Sequence, residues 1–283
     1  MTPTALQDYL AIPWHERHLF YGPFNAGKTA MGVSGFWDYQ ARQPIAKGRL
    51  MTFGGEFNDA LGVPPEMVKV FQSPDVKSRK WLDDLDAYTM KLVVDAQADK
   101  LDLDVVAFDG LSEFASLYEA VEEDGHGTET FELFDGLRSQ LYAIFSRLDP
   151  RVLGCDVLMT ARVQEKVAAK ASRTPGKTIP GDPDYMTCKH YPQMDGQMRR
   201  KMPHYFQGVW YMEKAMVQVK GQSKRVSRHL LHTAYQSDYF IKNQYEHLGL
   251  LPSPLHNPTW PQFKLALHAL KQGQRVEEVT EGE

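Results

Sequence analysis

A glycine-rich segment near the N-terminus has the spacing of a phosphate-binding loop. Residues 22–29, GPFNAGKT, match the pattern G-x-x-x-x-G-K-[ST]. In such a loop, backbone N–H groups surround the phosphates, the lysine reaches the β- and γ-phosphates, and the hydroxyl binds Mg²⁺. The alternative is a plain glycine-rich turn with a surface lysine. The residues predicted to bind the nucleotide are Gly22, Pro23, Phe24, Asn25, Ala26, Gly27, Lys28 and Thr29.

A second candidate is Asp109, which ends the apolar run DVVAFD. Ligands bind at the carboxyl ends of strands in open α/β sheets, and a carboxylate there can hold Mg²⁺ and its water shell. An aspartate that caps the helix starting near Leu111 is the alternative. We expect the metal role, together with Thr29, because the strand-end acid follows a phosphate-binding loop in the same chain.

Three more polar residues lie at or just after the ends of predicted strands. Glu56 comes just after the strand LMTF, where a carboxylate can orient or deprotonate an attacking water, although a glutamate in a turn is more often simply exposed. Thr160 ends the run VLMT and is a candidate polar sensor of the γ-phosphate. Arg162 follows closely and faces either the phosphate or the loop beyond it. The choice of sensor between Thr160 and Arg162 stays open.

Alternating strands and helices position these residues. A strand, RHLFYG, precedes the loop, and the segment KTAMGVSGFWDYQA after it has the pattern of a packed helix. Further apolar strands end near Gly54, Asp109 and Thr160, with amphipathic helices between them. This alternation over the first 160 residues predicts a mostly parallel, doubly wound α/β sheet.

The C-terminal part has a different pattern. Residues 163–203 show no sustained period and predict a long loop, and the segment that follows predicts antiparallel strands that close the sheet. The run PSPLHNPTWP predicts a proline-rich linker before a short helix and an acidic tail. The predicted domains are therefore residues 1–248, an ATPase domain, and residues 249–283, the linker, helix and tail.

Composition limits the cellular context. The chain has 283 residues, and its hydrophobic content of 42% is ordinary for a globular protein. No apolar run has the length of a membrane span, and the N-terminus lacks the pattern of a secretory signal. The two cysteines, Cys155 and Cys188, lack the spacing of a zinc site. We expect a cytoplasmic protein that has no membrane partner.

Charge is strongly segregated along the chain. Residues 101–135 contain eleven acids and no Lys or Arg, whereas residues 136–242 contain eighteen Lys or Arg against eight acids. Tyr185, His190 and Tyr191 follow a basic stretch at spacings that suit base stacking. This pattern indicates single-stranded DNA as a partner; a lid or a subunit contact is the alternative. The candidate DNA-binding residues are Lys166, Lys170, Arg173 and Lys177.

Six motifs in order resemble those of RecA-fold ATPases, most closely the short phage proteins of the Sak type. They are GPFNAGKT, MTFGGEF, VVAFDGLSEF, VLMTARVQ, MPHYFQGVWYM and HLLHTAYQSDYFIKN, and they span about residues 17–245. The resemblance implies a RecA-like P-loop fold whose parallel sheet is extended by C-terminal antiparallel strands. It also implies Mg²⁺-dependent ATP hydrolysis, action on single-stranded DNA in recombination and annealing, self-association into a ring or filament, and the cytoplasm of a bacterial host.

The resemblance also implies roles for single residues. Glu56 matches the catalytic glutamate, Asp109 matches the Walker B acid, and Lys242 falls where this fold offers a basic residue to the nucleotide of a neighbouring subunit. The sequence TAR stands where these proteins typically have a glutamine or histidine sensor. Two other functions are alternatives: an ATP-driven helicase-like, loader or remodelling motor, and a nucleotide-gated assembly protein with negligible hydrolysis.

Overall fold

A computed structural model of the chain shows how these segments fold. It describes residues 2–53, 61–72, 78–122, 130–165, 190–193, 201–218, 225–234, 238–249, 251–274 and 276. Within these ranges, no helix combines the length and the apolar character that a membrane span needs.

Strands and helices are interspersed up to β7. The strands are β1 (Arg17–Gly22), β2 (Trp37–Asp38), β3 (Gln43–Pro44), β4 (Gly48–Thr52), β5 (Val68–Val70), β6 (Val105–Asp109), β7 (Asp156–Glu165), β8 (His190–Pro192), β9 (Gly208–Gln218), β10 (Arg225–His232), β11 (Lys242–Asn243) and β12 (Leu255–His256). The helices are α1 (Pro3–Leu10), α2 (Lys28–Val33), α3 (Lys80–Gln97), α4 (Leu111–Glu122), α5 (Thr130–Arg147), α6 (Pro150–Leu153) and α7 (Trp260–Lys271).

One large sheet organises the molecule. Among the described residues it has ten strands, with the main order β12-β10-β9-β1-β7-β6-β4-β5, while β11 pairs with β9 and β8 with β7. The strands from β9 to β5 in this order are all parallel, and β10, β12, β11 and β8 each pair antiparallel. The predicted α/β class, with a mostly parallel sheet extended by C-terminal antiparallel strands, is confirmed.

The central position of β1 explains its sequence. Every residue of RHLFYG is buried, because β1 lies between β7 and β9 and is covered on both faces. Strands buried on both faces form nearly continuous apolar runs, and Leu19, Phe20 and Tyr21 are fully buried here. The glycine that starts the loop therefore leaves the middle of the sheet, where neighbouring strand ends surround it.

The segment after the loop differs from the prediction of one long packed helix. Helix α2 ends at Val33, and the Ser34 hydroxyl donates to the Met31 carbonyl at 2.7 Å. Glycines at positions 32 and 35 weaken helix propensity here. The chain then forms the antiparallel hairpin β2–β3. This hairpin turns the chain back beside α2 and forms a wall next to the loop.

The C-terminal segment also differs from the predicted proline-rich linker. Strand β12 pairs with β10, and α7 begins with a capping box at Thr259. Trp260 and Phe263 are fully buried and contact the Phe20 ring. Prolines fit this path because Pro261 lies in the first turn of α7, where a missing N–H costs little. The described part of this segment therefore belongs to the same core as the sheet.

A buried ion cluster ties β1 to α7. The Glu16 carboxylate contacts His18 Nε2 at 3.1 Å and Lys271 Nζ at 2.6 Å. Burial acts to raise the pKa of Glu16, but the hydrogen bonds and charge of these partners outweigh it and lower this pKa from 4.5 to about 2. The unfolded chain therefore binds the proton more readily than the folded protein does, so stability is present above pH 4.5 and is lost as the pH falls towards 2.

We expect Glu16→Gln to be less stable than wild type at pH 7, by up to about 3 kcal/mol, and the difference to shrink as the pH falls from 4.5 towards 2. Urea unfolding at several pH values measures the free energy of unfolding of both proteins. The matched control is Glu246→Gln at an exposed site, which should leave the pH dependence unchanged. A Glu16→Gln protein with the wild-type pH dependence would contradict this role.

Candidate functional site

The loop between β1 and α2 turns sharply and encloses its own lysine. Asn25 and Gly27 have left-handed φ angles of 60° and 86°, and such conformations direct successive backbone N–H groups towards one concavity. The Lys28 ammonium donates to the Gly22 carbonyl at 3.1 Å and to the Pro23 carbonyl at 2.7 Å. Lys28 thus lies across the loop, and its role towards phosphates stays a prediction.

Two glycines of the loop are required by close packing. A Cβ atom at Gly22 would lie 1.9 Å from the Met212 carbonyl oxygen of β9. A Cβ atom at Gly27 would lie 2.9 Å from His229 Nδ1 of β10, and the positive φ angle would add strain. The pattern G-x-x-x-x-G therefore has a steric reason in this chain, because both β9 and β10 press against the loop.

Asp109 joins the loop to the neighbouring strands. Thr29 Oγ1 donates to Asp109 Oδ2 at 2.9 Å, and Thr160 Oγ1 donates to Asp109 Oδ1 at 2.6 Å. The backbone N–H of Gly110 donates in turn to Thr160 Oγ1 at 3.0 Å. The predicted metal pair, Thr29 and Asp109, and the candidate sensor Thr160 thus form one hydrogen-bonded group.

Sheet order explains why Thr160 lies between its partners. Strand β7 is inserted between β1, which leads into the loop, and β6, which carries Asp109. Thr160 pairs in register with Phe20 of β1, and Met159 pairs with Phe108 of β6. The Thr160 hydroxyl lies in the middle of β7, level with the ends of β1 and β6, and is therefore within reach of both neighbouring strand ends.

Burial makes the charges of this group costly. Desolvation lowers the pKa of Lys28, although Asp109 and Glu113 act in the opposite direction. Desolvation also raises the pKa of Asp109, against the hydrogen bonds from Thr160 and Thr29. An added cation near Asp109 and an added anion near Lys28 would each relieve this penalty. The electrostatics therefore suit a magnesium–phosphate ligand.

An open cavity of about 750 Å³ contains these groups. A volume of this size lies within the range of ~300–1,000 Å³ that is typical of small-molecule sites. Thr52 and Phe53, at the end of β4, line it together with Leu61 and His229. The other lining residues are those of the loop, followed by Ala30, Asp109, Gly110, Glu113, Thr160, Ala161, Arg162 and Val163.

Glu113 is a cavity residue that the sequence analysis did not single out. It lies in the first turn of α4, and its Oε1 accepts a hydrogen bond from Arg162 Nε at 2.6 Å. A helix that begins at Leu111 brings its third residue back beside the strand end, so the position of Glu113 after Asp109 was the available signal. The site therefore has a second carboxylate, and Arg162 is directed towards it.

The structure does not bring every predicted residue to this cavity. Lys242 Nζ donates to the carbonyls of Pro203 and Phe206 at 2.8 and 2.5 Å, near the start of β9. Its role towards a neighbouring subunit stays a prediction. Glu56 lies outside the described residues, as do the candidate DNA-binding residues Lys166, Lys170, Arg173 and Lys177.

The oxygen atoms of Thr29 and Asp109 fit an Mg²⁺ ion that phosphate oxygens also bind. Among the described residues, no cluster of three or more His, Cys, Asp or Glu side chains could hold a metal by itself. Thr29 and Asp109 offer one hydroxyl and one carboxylate, and both are hard oxygen donors. Mg²⁺ typically binds to one or two carboxylates and completes its shell with waters and substrate phosphates.

The fold places the chain in the α/β class, and an open cavity lies at the carboxyl edge of its parallel strands, where ligands bind in many open α/β sheets. No model of a known protein family matches this chain, and its sequence matches no curated protein.

Proposed function

We propose that this protein is a RecA-like P-loop ATPase that binds ATP with Mg²⁺, hydrolyses it, and acts on single-stranded DNA. One observation carries the nucleotide part of the proposal. The hydrogen-bonded group of Thr29, Asp109 and Thr160 lies beside a loop that holds Lys28, at the carboxyl edge of a parallel sheet. Phosphoryl transfer depends on positioning and electrostatic stabilisation, and this group supplies both.

Each residue of the site has a distinct task in this proposal. Lys28 exchanges its two loop carbonyls for phosphate oxygens and stabilises the charge that develops in the transition state. Thr29 and Asp109 would hold Mg²⁺, which neutralises phosphate charge. Thr160 donates to the Asp109 carboxylate and fixes its orientation, and in this proposal it also contacts the terminal phosphate. Glu56 remains the proposed group that orients water.

The DNA part of the proposal is supported by the course of β7. This strand continues past Thr160 and Arg162 to Glu165, and β8 returns antiparallel to it, with Val163 opposite Pro192 and Glu165 opposite His190. The basic segment therefore follows directly on β7 and is itself followed by β8, which pairs with β7. Strand β7 lines the cavity of about 750 Å³, called the phosphate cavity below. We expect a polyanion that binds the segment to affect hydrolysis through β7.

The proposal is tested by steady-state ATP hydrolysis with and without Mg²⁺ and single-stranded DNA. We expect Mg²⁺-dependent turnover that DNA stimulates, and a loss of turnover in Asp109→Asn. DNA-independent binding of ATP with negligible turnover would instead support the nucleotide-gated assembly protein. Duplex unwinding would support the motor.

The basic segment provides a separate prediction. Replacing Lys166, Lys170, Arg173 and Lys177 with Ala should weaken binding to single-stranded DNA and flatten its salt dependence, by ~0.7 in the log–log slope for each lost phosphate contact. Basal hydrolysis should survive because these side chains are assigned to the polymer. A salt titration with a fluorescent oligonucleotide measures both quantities. An unchanged slope and affinity would reassign the segment to a lid or a subunit contact.

A further inference from the structure

A second cavity lies beside the phosphate cavity. Its volume is about 510 Å³, and it is formed by α2, the β2–β3 hairpin, β10 and the start of α7. Its aromatic and apolar walls are Trp37, Tyr39, Ile45, Met212, Pro258 and Pro261. This volume lies within the range of ~300–1,000 Å³ that is typical of small-molecule sites.

The two cavities meet at the loop. Gly27, Ala30 and His229 line both of them. The imidazole of His229 packs directly over Gly27, which has no side chain to separate them. A ligand bound beside Ala30 and His229 therefore adjoins both cavities.

The charged groups divide unequally between the two cavities. The phosphate cavity contains Lys28, Asp109, Glu113 and Arg162. Apart from the shared His229, the second cavity contains one acid, Asp38, and one arginine, Arg228, among its described lining residues. A ligand with one highly charged end and one uncharged aromatic end matches this division.

The direction in which the phosphate chain lies decides which end of the nucleotide enters the second cavity. Asp109 and Thr160 line the phosphate cavity but not the second one, so the end of the phosphate chain that binds the metal lies away from the second cavity. The opposite end of a nucleoside triphosphate carries the ribose and base. The ribose and base must therefore extend from the loop past Ala30, towards the β2–β3 hairpin.

We infer that the second cavity binds the ribose and base of the nucleotide, with the Tyr39 ring as a stacking face. This inference rests on the proposed function and adds the part of the site that recognises the nucleoside. Tyr39 is half-buried on the hairpin, and Trp37 beside it is held by a hydrogen bond from Nε1 to the Leu61 carbonyl at 3.1 Å. A purine offers more stacking area than a pyrimidine, so ATP and GTP should bind more tightly than CTP.

The test is calorimetric titration with Mg²⁺ and two ligands, the ATP analogue AMP-PNP and inorganic tripolyphosphate. Wild type should bind AMP-PNP at least tenfold more tightly, because tripolyphosphate lacks the base. Tyr39→Ala should weaken AMP-PNP binding about tenfold and leave tripolyphosphate binding within about twofold. Tyr39→Phe should retain the wild-type affinities. The matched control is Phe134→Ala, an exposed aromatic on α5 outside both cavities.

The outcomes separate this inference from the proposed function. Equal affinities of wild type for the two ligands, or unchanged AMP-PNP binding in Tyr39→Ala, would overturn the base site and leave the phosphate site intact. The comparison of the two ligands on wild type needs no variant, so it holds even if Tyr39→Ala fails to fold. Failure of wild type to bind either ligand, or normal binding of both by Lys28→Ala, would remove the phosphate site and the inference with it.

Discussion

Lys28→Ala is expected to reduce ATP hydrolysis by at least ~10²–10³-fold, which is the loss seen when one preorganised electrostatic contact to a transition state is removed. Its ammonium donates to two carbonyls of the loop and is partly withdrawn from water. Removing the side chain therefore takes away charge that the phosphates need, while little hydrophobic packing is lost. The turnover number and the melting temperature are measured on the same preparation.

Lys47→Ala is the matched control for this experiment. The Lys47 side chain is 64% exposed and pairs with Asp102 at 2.6 Å, outside both cavities. Surface pairs of this kind contribute little to stability, so both the melting temperature and turnover should stay near wild type. Wild-type turnover in a folded Lys28→Ala protein would show that hydrolysis does not occur at this loop.

Glu56→Gln is expected to bind ATP about as tightly as wild type and to lose ~10²–10⁴-fold in turnover, the usual contribution of a general base. The amide keeps the size of the side chain but can no longer accept a proton from water. Separate measurement of ATP affinity and of the single-turnover rate distinguishes binding from chemistry. Turnover within a few-fold of wild type would assign the water to another group.

The effect of Glu56→Gln on turnover should be compared with that of Glu113→Gln. Glu113 is a second carboxylate in the phosphate cavity, and Arg162 donates to it at 2.6 Å. Because Arg162 already occupies one oxygen of this carboxylate, Glu113 has fewer accepting positions left with which to orient a water. We therefore expect a smaller loss of turnover than in Glu56→Gln. The reverse order would make Glu113 the base.

The parts of the site that follow directly along the chain were predictable. The loop pattern placed Lys28 and Thr29, and the end of an apolar run placed Asp109, because both depend on local sequence. Contacts between residues that are far apart in the sequence could not be predicted. Lys242 donates to carbonyls near the start of β9, and no local pattern indicates that pairing. Sheet order, which sets Thr160 between its partners, is also decided by packing over the whole chain.

The two predictions about the fold that were wrong have a common cause. The segment after α2 has helical spacing of apolar residues, but Trp37 packs into the core as part of a hairpin closed by residues 43–44. The proline-rich segment resembles a linker, but the Trp260 N–H groups donate to Ser34 and Asp156, far away in sequence. Tertiary contacts override local propensity in both places. These two segments form two walls of the second cavity, so no local pattern in the sequence indicates it.

The central position of β1 has a consequence for the synthesis of this chain. Both of its neighbours in the sheet come much later, since β7 begins at residue 156 and β9 at residue 208. At ~5–20 residues per second, the apolar run RHLFYG waits on the order of 10 s after its own synthesis before either neighbour exists. During that interval, β1 is a target for chaperones or for unwanted association. The loop of residues 22–29 is thus among the first segments to be made, but it packs against β9 and β10, which are made much later.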